Sequence, residues 1–130
     1  MAWVTPKTNW EVRTDARGYY LGDFFNVADY NRIKNNFVFL FNAAGLTPPA
    51  FGPDKVCNTS TISPIYAREI NAFEDALEYL RVNLADLDTG VSMQFFQNGR
   101  AITYDELNRL ESAQVKYYNY LFPQNNGGNS

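Results

Sequence analysis

A chain of 130 residues with 45 % hydrophobic and 16 % aromatic residues is long enough for one domain with a real core, and its composition is globular rather than disordered. Its net charge of −3 comes without any basic run, which excludes the electrostatic footprint of a nucleic-acid binder. The absence of histidine removes the commonest general base and metal ligand, and the lone Cys57 rules out an internal disulfide or a thiolate zinc site, so no cofactor is expected.

Residues 1–25 contain Trp3, Pro6, Trp10, Gly18 and Gly22 without a helical period, and read as an extended N-terminal arm. The opening residues form no apolar signal core, and no window approaches the ~20 apolar residues of a membrane span. The expectation is therefore a cytosolic product with no membrane partner. Two tryptophans so close together would be costly in water, so at least one of them docks on its own domain.

The first helix is expected to start at Asn26, an N-cap, with Asp29 reaching back to it. Tyr30, Ile33, Phe37 and Leu40 then mark one apolar stripe, which Gly45 ends before Pro48 and Pro49. A long connection holding Cys57, an idle thiol on this reading, leads to a cap at Ser63-Pro64. The second helix carries the most complete stripe, Tyr66, Ile70, Phe73, Leu77, Leu80 and Leu84, which predicts the central and most buried helix. Asn98-Gly99 between apolar runs predicts a small β-hairpin near 93–102. Thr103 and Glu106 form a capping box for a third helix with the stripe Leu107, Leu110, Ala113 or Gln114, Tyr117 and Leu121. The fold class is thus mainly α, a three-helix domain over 26–122, with the arm before it and a mobile polar tail over 123–130.

One pattern recurs. Asp29-Tyr30-Asn31-Arg32-Ile33-Lys34, Glu69-Ile70-Asn71-Ala72-Phe73-Glu74 and Glu106-Leu107-Asn108-Arg109-Leu110-Glu111 share acid, apolar, Asn, any residue and apolar. The asparagines are 40 (Asn31 to Asn71) and 37 (Asn71 to Asn108) residues apart, as in repeated supersecondary units. Each acid sits near the positive end of its helix, and Arg32 and Arg109 are placed for i,i+3 pairs with Asp29 and Glu106. Three near-copies fit one structural role repeated, with each Asn bonding the backbone of an adjoining segment. The middle copy has Ala72 in place of arginine, so the two arginines are expected to face something the middle helix does not, such as a bundle loop or a neighbouring subunit. The functional alternative is a catalytic Asp–Asn–Arg cluster.

The order of "MAWVTPKTNW", "FFNVADYNRIKNN", "YAREINAFEDAL" and "ITYDELNRLES" resembles a group of small virion proteins encoded in the tail regions of bacteriophages and prophages of Gram-positive bacteria. The resemblance runs to about Leu121. It implies a virion location, binding to other virion proteins of the baseplate or receptor-binding apparatus, and a homo-oligomer in the particle. Members of the group often continue past the third helix into an aromatic, Gly-rich segment. This sequence ends at "PQNNGGNS" instead, which favours a connector or adaptor over receptor contact; with no histidine, metal cluster or phosphate loop, no enzymatic activity is expected. Trp3 and Trp10 in the arm, and Tyr117, Tyr118 and Tyr120 on the third helix, are the candidate interface residues. On this reading the arm serves neighbouring chains more than its own fold. Two other readings stay open: an assembly factor absent from the mature particle, and a cell-wall hydrolase using Glu69, Glu74, Asp75 and Glu78, expected on the solvent face of the second helix.

Overall fold

The computed structural model of the chain describes residues 3–9, 16–17, 27–56, 67–90 and 104–123. Helices α1 (Val27–Ala43), α2 (Ala67–Asn83) and α3 (Tyr104–Leu121) form where the three stripes place them. The hairpin expected near 93–102, Trp10, Cys57, the Ser63-Pro64 cap and the tail beyond Pro123 lie outside the described residues.

The stripes meet in register. Tyr30, Ile33, Phe37 and Leu40 of α1, Ile70, Phe73, Leu77 and Leu80 of α2, and Leu107, Leu110, Gln114 and Tyr117 of α3 occupy matching places after their motif acids, and all are buried. Gln114 is the polar exception in this core, and its amide donates to the Ile33 carbonyl at 2.9 Å. Among the described residues the most buried helix is α1 rather than α2, with nine buried residues, Asp29, Lys34 and Asn36 among them.

Contacts at matching heights show that the three helices run parallel. Near their starts Arg32 of α1 meets Glu111 of α3, and Arg109 of α3 meets Glu74 of α2. Near their ends Phe39 stacks with Tyr118, and Phe41 with Tyr79. Parallel helices of 17 residues are about 25 Å long, so each connection must run back that far, which takes at least about eight extended residues. This explains the long connection after α1. Leu46 leaves the top of α1, and Lys55 already lies beside Asn31 near its base.

At that top the helix ends in a Schellman-type turn. Leu46 N–H bonds the Phe41 carbonyl at 2.8 Å, and Gly45 N–H bonds that of Asn42 at 3.1 Å. Gly45 takes a φ of 75°, a conformation in which a side chain would be strained.

Three descending segments thus lie against the seams between helices, each leading to the helix that follows it. Residues 3–9 lie between α3 and α1, 46–56 between α1 and α2, and 84–90 along α2 and α3. Thr5, Thr47 and Thr89 mark them, each 42 residues from the next. The unit that repeats is therefore a return segment plus a helix, used three times around one core.

Trp3 docks on its own domain, as expected of at least one of the two tryptophans, but residues 3–9 serve the chain's own fold more than expected of an arm meant for neighbouring chains. Trp3 stacks on Tyr118 with ring centroids 4.4 Å apart and lies against Phe39. Val4 exchanges two hydrogen bonds with the buried Asn36 side chain, at 3.0 and 2.7 Å. Lys7 N–H donates to Glu111 at 2.9 Å. Residues 3–9 are part of the folded bundle.

Candidate interaction site

The repeated motif is a set of locks between neighbouring helices. In α1, Asp29 stands in the first turn and bonds Arg32 at 2.8 Å, the i,i+3 pair expected from spacing. Arg32 also reaches across to α3 and grips Glu111 with two parallel bonds of 2.8 and 2.7 Å. Burial works against the guanidinium charge, but the bonds to Glu111 and Asp29 outweigh it and raise its pKa. In α3, Arg109 bonds Glu74 of α2 and the Thr89 carbonyl, the latter at 3.1 Å. To do so it passes over Gly90, where a Cβ would lie 2.6 Å from Arg109 Cδ; Gly90 also has a φ of 79°.

The locks follow a rule. The arginine at the fourth place of one motif meets the acid at the sixth place of its neighbour, from α1 to α3 and from α3 to α2. The third lock would join α2 to α1, and both of its members are replaced: Ala72 stands for the arginine, and Lys34 for the acid. Lys34 turns instead to Asp54 and the Gly52 carbonyl. The hydrogen bond from Lys34 holds the Asp54 carboxyl below its usual range.

Asn31 performs the role expected of it. Its amide donates to the Lys55 carbonyl at 3.0 Å and accepts the Lys55 N–H at 2.8 Å, clamping the return segment. Lys55 then pairs with Glu69 at 2.8 Å and lies over the Tyr30 ring. Burial and the Glu69 carboxylate push the Tyr30 hydroxyl up to about 12, so it stays protonated. Asn71 and Asn108 are half-buried, and neither is without a partner. Glu106 is buried near the start of α3. Replacing Asn31 with alanine is expected to cost about 1–3 kcal/mol, since both polar groups of Lys55 lose their partner. Thermal unfolding followed by circular dichroism measures this; an unchanged midpoint would remove the clamp as a stabilising element.

Of the interface candidates, Tyr117 takes the buried place that its stripe gave it and is not on a surface. It is fully buried, its hydroxyl donates to the Ala85 carbonyl at 2.7 Å, and burial raises its pKa. Tyr118 is half-buried under Trp3. Tyr120 stands 50 % exposed, and Phe122, which sequence reasoning passed over, is 42 % exposed beside Tyr118 and Phe39. Trp3, Phe39, Tyr118 and Phe122 form an aromatic patch at the C-terminal end of α3, and Tyr120, two residues from both Tyr118 and Phe122, projects from another face of the helix.

The acids of α2 do not lie together on a solvent face. Glu74 is wholly buried, Glu69 pairs with Lys55, and Glu78 pairs with Arg81, whose hydrogen bond lowers its pKa. A general acid needs the opposite shift. Among the described residues no group of three metal-ligating side chains gathers. No helix there is long and apolar enough to cross a membrane.

No family model, curated protein or solved structure matches this chain. The site is therefore read from its own geometry. Arg32, Arg109, Glu74 and Glu111 hold the bundle, and the aromatic patch and one seam are left facing outward.

Proposed function

We propose that the protein is a bacteriophage virion structural protein, a tail-associated connector or adaptor that binds other virion proteins and forms a homo-oligomer in the particle. The observation that carries this reading is the aromatic patch of Trp3, Phe39, Tyr118 and Phe122, partly exposed on a bundle whose motif charges are spent on internal locks. Exposed aromatic clusters of this kind anchor protein interfaces. The resemblance to small tail-region virion proteins supplies the particle.

Mass spectrometry of purified particles tests the location, and the variant Phe122→Ala tests the patch. The expected result is a stoichiometric virion band for the wild type. The variant should be folded by circular dichroism yet incorporated at least about tenfold less, the loss of one hot-spot ring. A protein required for assembly but missing from finished particles would instead be an assembly factor. Normal incorporation of the variant would move the interface off this patch.

A further inference from the structure

The three seams are built alike but are not filled alike. Between α3 and α1, Phe39 and Tyr118 lie 6.0 Å apart with planes 26° from parallel, and Trp3 covers both at 5.8 and 4.4 Å. Between α1 and α2, the rings at the same register are Tyr79 and Phe41. They lie 5.6 Å apart, again with planes 26° from parallel. No described indole covers this second pair. Aligned on Thr5 and Thr47, Gly45 falls where Trp3 stands. The helix residues along the first seam, Arg32 and Asn36, have Ala72 and Ala76 as counterparts. Three large side chains are thus replaced by three small ones along one seam. What remains is a groove of about 350 Å³ floored by Phe41, Ala72, Ala76 and Tyr79, with Thr47 and Pro49 on one side and Asp75 at its edge. Tyr79 is 47 % exposed there.

We propose that this groove is a docking site for a tryptophan carried on an extended segment of a partner protein, with a basic residue following it. The indole is argued from the chain's own example: the same pair of rings, at the same register and angle, takes Trp3 in the neighbouring seam. The volume is that of a small-ligand pocket, and a flat aromatic floor with small side chains around it suits a ring. The basic residue is argued from charge complementarity, because Asp75 is exposed at the edge of the groove and the whole chain is acidic. An extended segment fits because the equivalent Trp3 reaches its seam on one, with Lys7 four residues on. This inference stands apart from the virion assignment and would hold for a partner of any origin.

The probe is a blocked peptide of the arm's own sequence, Trp-Val-Thr-Pro-Lys, titrated into the intact protein and followed by amide chemical shifts. Saturable shifts are expected at Ala72, Ala76 and Tyr79. Ala72→Met, which fills the groove with a flexible helix-favouring side chain, should weaken binding about tenfold or more with helicity unchanged. Asp75→Asn should weaken it less and flatten its salt dependence. The proposal is overturned if no saturable shift appears. It is equally overturned if shifts fall only on Asn36, Phe39 and Tyr118, where the peptide would be exchanging with the chain's own arm. Wild-type affinity in Ala72→Met overturns it too. A concentration-dependent dimer that this substitution abolishes would name a second copy as the occupant, and would overturn the assignment to a partner.

Discussion

Replacing Phe73 with alanine is expected to cost about 3–5 kcal/mol, a large part of the roughly 5–15 kcal/mol that holds a domain of this size together. Phe73 has no exposed surface, and its ring lies 5.2 Å from Tyr30, 5.7 Å from Phe37 and 5.6 Å from Phe51. Two of these neighbours sit on α1 and the third on the return segment before α2. Truncation therefore opens a cavity where two helices and their connection meet, and rigid rings cannot collapse to fill it. Chemical denaturation of wild type and variant measures the difference. A cost below about 1 kcal/mol would show that this part of α2 repacks freely, which the ring contacts argue against.

Glu111→Ala should be as damaging for a different reason, at about 3–5 kcal/mol. The carboxylate has no exposure and accepts three hydrogen bonds, two from Arg32 and one from Lys7 N–H. Its removal leaves a mostly buried guanidinium with Asp29 as its remaining acid among the described residues, and loosens the segment that carries Trp3. The buried pair gives little stability over an apolar pair of similar shape, because desolvation offsets most of its Coulomb attraction. The double variant Arg32→Met, Glu111→Leu should therefore recover most of the loss. Equal damage in single and double variants would mean that the ion pair itself, rather than the orphaned charge, holds the seam.

The helices and their stripes were readable because a period of three and four apolar steps has one physical solution, a buried face. Asn31 was readable for a related reason, since an amide repeated beside a stripe needs a backbone partner. Tyr117 shows the limit of reasoning by residue type. It belongs to the α3 stripe by spacing and to a surface by its hydroxyl, and spacing decides, with the hydroxyl satisfied by Ala85. Glu74 was expected on the surface, and Glu111 was given no role, because a carboxylate is buried only where a cation on another helix meets it. That meeting depends on tertiary register. The parallel course of the helices was hidden for the same reason, and with it the return of residues 3–9 to their own seam. A signal was present in the paired replacement of arginine by Ala72 and of acid by Lys34, which makes sense only if those two positions face each other.

The seam between α3 and α1 joins distant stretches of the chain: Lys7 and Glu111 are 104 positions apart, and Trp3 lies on Tyr118. During synthesis α1, its return segment and α2 emerge early and can associate. Trp3 and Phe39 must wait, and so must Arg32, until α3 leaves the ribosome. For that interval the growing chain presents bare rings and a charge without its main partner. Closing so long a loop is slow. Completion of this bundle therefore waits for α3, and a message cut short before α3 yields a product that stays sticky.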